Sequence, residues 1–279
     1  MPSHKDVLDT PEILERLSQL GYFGDKAYDD IKNISGKQLQ RAVRAYQTFT
    51  GLIASGHVDA RTASWMNRRR CGLPDMALRT GDVCQWPMNR VRYFTQIKLP
   101  GITPSQAVQA FDVACQQWTA ICGIELVRTV ESKKAHIVAR SGLGSRNLLD
   151  DRGGTLGWSE MPCDATHGTR LRMMFDEAEE WSFNMAVAVL GHELGHALGL
   201  PHGRRGSLMS AYYDPNVTKP THDDMREIVS LYGRPKKVPG RLVAAAPDST
   251  PTAAAAAAAL DISGTIVING QPYVLVPKT

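Results

Sequence analysis

The chain of 279 residues lacks any run of roughly 18 consecutive apolar residues, the length a helix needs to cross a bilayer. Its opening, Met1 to Thr10, has neither the basic nor the apolar region of a secretory signal. A strong charge of one sign is also missing. Against 28 Asp+Glu stand 32 Lys+Arg, and the resulting net charge of +4 is too small and too dispersed to point to nucleic acid. Cysteine is scarce: five in this length cannot staple a fold, and the odd number leaves at least one thiol unpaired within the chain. What is present is 43% apolar residues over a length that favours two domains, with one core plus additions as the alternative.

Three compositional zones follow one another. In the first, Ile13, Leu14, Leu17 and Leu20 recur at helical spacing, as do Leu39, Val43, Tyr46 and Phe49, and Asp59 caps a third segment that ends at Met66. Glycines punctuate them, so residues 1–76 read as a small three-helix domain. Residues 77–234 alternate strand-like runs (Arg90–Thr95, Ile124–Val130, His136–Ala139, Thr155–Ser159, Arg170–Phe175) with helical ones (Thr103–Ile121, Ser182–Leu198, His222–Tyr232). The fold class that follows is α+β, a mixed sheet with a few helices. Residues 235–279 turn to Pro, Ala, Ser and Thr with an unbroken Ala253–Ala259 run, which is linker-like, and then close on two apolar arms around Asn269-Gly270, a hairpin signal. Pro272 confines its arm to an edge.

The sharpest chemical signal runs from His192 to His202, HELGHALGLPH. Residues four apart on a helix lie one above the other, so His192 and His196 present two imidazoles to a single ion. Gly199 suits the left-handed conformation that ends a helix and lets His202 supply a third nitrogen from beyond it. Three protein ligands leave a fourth position open for water, as in a catalytic zinc site, and Glu193 is placed to take a proton from that water. A core helix with merely hydrogen-bonded histidines is the competing reading; the added glycine and third histidine argue against it.

With these residues the chain resembles the metzincin clan of zinc endopeptidases, and within it the matrixins. Ser207-Leu208-Met209 looks like their methionine turn, followed by Tyr213, while Ala211 stands where the family has proline. Arg70-Cys71-Gly72-Leu73-Pro74-Asp75 resembles the matrixin cysteine switch, in which Arg70 and Asp75 would pair to hold the loop and Cys71 would occupy the open zinc position. Arg69 replaces a family proline. Ala42 to Leu52 resembles the peptidoglycan-binding-like propeptide of the same family. The resemblance implies a metzincin catalytic domain, a twisted mixed sheet with about three helices, behind a propeptide released by a cut between Met76 and Trp86, where Arg79 offers a basic residue. It also implies a protein or peptide substrate extended along the edge strand Thr155–Ser159, and an extracellular location.

By the same resemblance Asp150, Asp176 and Glu179, with carbonyls of Asp151, Gly153 and Thr155, would bind calcium. The family's structural zinc set falls on Leu143, Ser145, Trp158 and Met174, none a tight zinc ligand, so that site is expected to be missing, with packing by Leu143, Trp158 and Met174 in its place. Cys115 and Cys122 are too far apart to pair if both are helical; Cys84 and Cys163 either pair or stay free. The function expected is a zinc metalloendopeptidase made latent by Cys71. The alternatives are a cell-wall peptidase whose N-terminal domain binds glycan, and a non-enzymatic adhesion protein.

Overall fold

The computed structural model describes residues 9–24, 33–75, 84–144, 149, 153–164, 170–235 and the strands 265–268 and 271–274. Residues 1–235 gather into one compact unit and residues 236–279 into another.

Local sequence starts each helix of the N-terminal zone. Asp9 and Glu12 form a reciprocal capping box on α1 (Thr10–Gln19), Ser35 and Gln38 do the same for α2 (Gly36–Phe49), and the Asp59 carboxylate caps α3 (Ala60–Met66). Their apolar faces close a core of Ile13, Leu17, Leu20, Val43, Tyr46 and Met66. Two polar side chains, Gln47 and Thr62, are buried in it. Gln47 donates to the His57 carbonyl at 2.9 Å and to Thr62 Oγ1 at 3.1 Å while accepting from the Gly56 N–H at 2.8 Å, so the loop from α2 to α3 is fixed by a fully used amide.

The larger core belongs to a six-stranded sheet of order β1-β5-β6-β4-β2-β3. The strands are β1 (Arg70–Cys71), β2 (Arg90–Gln96), β3 (Glu125–Arg128), β4 (Ile137–Gly142), β5 (Thr155–Ser159) and β6 (Leu171–Asp176). All pairings are parallel except β5 with β6. Three helices accompany them: α4 (Pro104–Thr119), α5 (Phe183–Ala197) and α6 (His222–Tyr232), the last closed by Gly233 at φ +70°. Trp118 ties α4 to α5 by donating its indole N–H to the Gly191 carbonyl at 2.8 Å, inside a core that also holds Phe111, Ile137, Met173, Phe175 and Leu190. This is the α+β mixed sheet with three helices that the sequence implies, preceded by a helical region.

Four strands differ in their limits from those read locally: β2 ends one residue later, β6 is shifted by one residue, and β3 and β4 differ more. β4 starts one residue later and runs on to Gly142, because it pairs with β6 along that strand's whole length, from Ile137 opposite Leu171 to Gly142 opposite Asp176. β3 is shorter than its apolar run, with Val130 left 87% exposed. Pairing partners, not composition, set these ends. Of the cysteines, Cys84 and Cys163 form a disulfide, while Cys115 within α4 and Cys122 just beyond its end are buried and free. In the second unit β7 (Thr265–Ile268) pairs antiparallel with β8 (Gln271–Val274), Val267 opposite Pro272.

Candidate metal centre

α5 begins at Ser182, whose hydroxyl caps it, and is buried over nearly its whole length. Such a helix has no solvated face for a charged or polar side chain. His192, Glu193 and His196 are nonetheless there, 6%, 0% and 0% exposed. The two imidazoles are oriented from behind: His192 Nδ1 lies 2.7 Å from the Leu208 carbonyl and His196 Nδ1 2.7 Å from that of Leu200. A carbonyl only accepts, so each Nδ1 carries the proton and each Nε2 is left as a lone pair. Those two Nε2 atoms face each other at 2.9 Å. Two acceptors at that distance repel unless a cation lies between them.

At Gly199 the φ is +96°, and the chain turns out of the helix with the Leu200 N–H donating to the Gly195 carbonyl at 3.0 Å. The turn delivers His202, whose ring centroid lies 4.9 Å from that of His196 and 5.6 Å from that of His192. Its side chain is 2% exposed, and neither ring nitrogen has a hydrogen-bond partner; the 3.5 Å from Nδ1 to Asp75 Oδ1 is an electrostatic contact, too long for a good hydrogen bond. Cys71 completes the group. One ligand atom from each of Cys71, His192, His196 and His202 lies within 4.8 Å of all the others.

Electrostatics follow burial. With only protein charges around them, desolvation pushes His192 down to about 3, His196 well below the usual range and His202 below it, so all three are neutral and have lone pairs to give. Burial raises Glu193 to about 8 and, with the Glu193 carboxyl beside it, raises the Cys71 thiol. Cys71 Sγ is 3.5 Å from Glu193 Oε2, and Glu193 Oε1 has no partner. Three neutral donors, a thiol and buried nitrogens with nothing to bind fit a tetrahedral N3S zinc site.

Beneath the group runs Met209, against which a Cβ on Gly195 would collide. Its turn is held by Asp224 of α6, 2% exposed, which accepts from the Leu208 N–H at 2.9 Å and the Met209 N–H at 3.1 Å. A Thr-x-x-Asp start at Thr221 is the sequence signal that could have singled out Asp224. Tyr213 is half-buried at the wall of a pocket behind His192 and Glu193, which Leu156, Ala188, Val189, Leu208 and Val217 also line.

Cys71 arrives on β1, which lies between two segments. On one side the Arg70 N–H donates to Gly154 O (3.0 Å) and the Gly72 N–H to Gly157 O (2.8 Å); on the other the Cys71 N–H donates to Ala211 O (2.9 Å) and the Tyr213 N–H to Arg69 O (3.1 Å). Arg70, 5% exposed, forms an ion pair with Asp75 and donates to Tyr212 Oη at 3.2 Å. Burial alone would raise Asp75, but Arg70 and His202 beside it together outweigh that and hold the carboxyl below its usual range. The helical region grips the same loop: Tyr22 donates to Asp75 at 2.7 Å, Tyr46 and Tyr212 share a 2.7 Å hydrogen bond, and Trp65 meets the Tyr212 ring edge-on at 4.9 Å. Tyr212 was not legible as a site residue, since its partners lie more than a hundred positions away.

Of the candidate calcium ligands, Asp150 and Asp151 lie outside the described residues, as does Arg79. Asp176 is buried and accepts from the Ala178 N–H at 2.8 Å. Glu179 is also buried, and both its oxygens face donors: the Gly153 N–H, and Arg69 Nη2 at 2.8 Å. Gly153 has φ +107° and Thr155 opens β5. In this part of the set Arg69 takes one oxygen of Glu179. Of the positions where the family keeps a structural zinc, Trp158 and Met174 stand opposite each other on β5 and β6, Ser145 lies outside the described residues, and Leu143 is 59% exposed. Leu143 therefore adds little of the packing expected of it.

A mixed sheet with a buried helix that carries two histidines, a third histidine beyond the helix and a thiol lodged among them defines a metal-binding type of domain. Sequence comparison agrees: the matrixin family model matches residues 85–233, more than half of the chain, and the peptidoglycan binding domain model matches residues 9–66. The chain belongs to the matrixin family, whose members use a catalytic zinc, usually with structural calcium. It is 29% identical over 242 residues to macrophage metalloelastase of Rattus norvegicus (82% of this chain, 51% of the relative). It is 30% identical over 213 residues to matrix metalloproteinase-20 of Homo sapiens (71% and 43%), and 27% identical over 240 residues to interstitial collagenase of Bos taurus (82% and 50%). The chain thus spans about half the length of these relatives or less.

Proposed function

We propose that this chain is a zinc-dependent metalloendopeptidase held latent by its own N-terminal region, with residues 1–76 as propeptide and 77–234 as peptidase. The observation that carries the reading is the pair of Nε2 lone pairs facing each other at 2.9 Å beside an unpartnered, buried His202. His192, His196 and His202 hold the metal, and Cys71 takes the fourth position in the latent chain. Zinc, when bound, supplies Lewis acidity to a carbonyl and to water.

The chain's own groups do the rest. Glu193 Oε2, now 3.5 Å from the sulfur, takes the proton of the attacking water once Cys71 has left and passes it to the departing amine. The Gly157 and Ala211 carbonyls and the Tyr213 N–H, which now bind β1, pair with the backbone of an extended protein substrate. The apolar pocket beside Glu193 takes one substrate side chain. Met209, Gly199, Tyr213 and the Arg70–Asp75 pair support this arrangement. Structural calcium is part of the proposal only for a form in which Arg69 has released Glu179.

Against a permanent glycan-binding role stands the use of the helical region, whose Tyr22, Tyr46 and Trp65 all engage the switch or the pocket wall. An extracellular location is supported by the Cys84–Cys163 disulfide, since such bonds persist in oxidising compartments. Among the described residues no helix is long and apolar enough to cross a membrane. The test is Glu193→Ala: this variant retains one zinc per chain and loses cleavage of an unfolded protein such as casein after the propeptide is cut. Undiminished cleavage by the purified variant overturns the assignment.

A further inference from the structure

The segment Cys84 to Trp86 is attached to the C-terminal end of α5 in three ways. The Trp86 indole N–H donates to the Ala197 carbonyl at 2.8 Å. The Trp86 backbone N–H donates to Tyr232 Oη at 3.0 Å, and that hydroxyl donates to the Leu198 carbonyl at 2.8 Å. The Cys84 carbonyl lies against Gly199 so closely that a Cβ there would collide with it. Carbonyls at a helix end have no partner within the helix; here an indole and a phenol supply partners for two of them.

The segment is itself anchored. Cys84 is 2% exposed and bonded to Cys163, in the short 3-10 turn Pro162–Asp164 that follows β5, and the Cys163 N–H points at Cys84 Sγ from 2.9 Å. What it bears on is the turn that delivers the metal-site imidazoles. His202 stands three residues past Gly199, and the Leu200 carbonyl of the same turn orients His196 through Nδ1 at 2.7 Å. None of these hydrogen bonds involves the propeptide, whose Cys71 and Leu73 meet the segment only in a small apolar cluster with Cys84 and Met161.

We propose that Cys84–Trp86, pinned by the Cys84–Cys163 disulfide, is a positioning strap that fixes the Gly199 turn and through it His202 and the orienting partner of His196, with Trp86 and Tyr232 as positioning residues. The inference rests on the reading of the three imidazoles as one metal site. Partners behind a metal ligand typically change metal affinity by about 10 to 100-fold.

The experiment loads the full chain with Co(II) and follows two readouts, the visible absorption of the ion and its rate of loss to a chelator. Tyr232→Phe, which keeps the ring and removes the hydroxyl, Trp86→Phe, which keeps an aromatic side chain without the indole donor, and the double variant Cys84→Ser/Cys163→Ser are each expected to lose Co(II) about tenfold faster with a shifted spectrum. Phe111→Leu, a core change at the ring stacked on Tyr93, serves as control and is expected to lower the melting temperature without moving either readout. Unchanged rates and spectra in the two phenylalanine variants overturn the strap, and so does an equal acceleration in Phe111→Leu. If the unaltered chain takes up no Co(II), the three-imidazole reading itself fails, and the strap fails with it.

Discussion

Gly199 is confined by two separate constraints. Its φ of +96° is a conformation that L side chains rarely adopt, and the Cys84 carbonyl fills the space a Cβ would need. Gly199→Ala is therefore expected to cost about 1–3 kcal/mol, lowering the melting temperature by about 2–4 °C per kcal/mol in a chain of this size. Thermal unfolding checks it. His202 is the opposite case, a side chain whose surroundings leave its nitrogens without partners, so His202→Ala removes a ligand and little else. It is expected to reduce bound zinc well below one per chain while the fold persists, as read by metal analysis beside circular dichroism. A variant that keeps full zinc occupancy would remove His202 from the ligand set.

Among the elements, β1 is two residues long and carries the proposed latency. It is held on both sides by backbone hydrogen bonds, at its end by the sulfur among the imidazoles, and from outside by Tyr22, Tyr46 and Trp65. Cys71→Ser replaces a soft thiolate ligand by a hydroxyl that binds zinc weakly. The uncut variant is expected to cleave casein several-fold faster than the uncut parent; equal rates would count against the switch. Arg69 adds a second hold through the buried Glu179 carboxylate. In Arg69→Ala that carboxylate is freed, so added calcium is expected to raise the melting temperature of the uncut variant by more than it raises that of the uncut parent.

The first unit contains two large hydrophobic cores, one helical and one built on the sheet, and a small third cluster of Cys71, Leu73, Cys84 and Met161 at the switch segment. A metal held by the three imidazoles would tie the larger core's central helix to the loop beyond it and so couple binding to folding. Zinc at about 1,000 times its dissociation constant adds about 4 kcal/mol of stability. Chelation is therefore expected to lower the melting temperature by on the order of 10 °C, and readdition of zinc to restore it. A melting curve indifferent to chelator would mean that no metal is held by the folded chain.

The helices and their caps, the fold class and the ligand motif on α5 could be read from the sequence, because capping boxes, helical periodicity and the i, i+4 pair are local relations. Gly199 and His202 were legible for the same reason, lying within one turn of the helix end. The strand ends at Val130 and Gly142, the pairing of Cys84 with Cys163, the hold of Tyr212 and Tyr46 on the switch, and the capture of Glu179 by Arg69 were not. Each depends on a partner distant in the chain, and only the assembled sheet and cores bring those partners within reach. The sequence determined which groups can bind a metal ion; tertiary packing decided that they converge, because burial strips them of solvent and leaves their lone pairs facing one another.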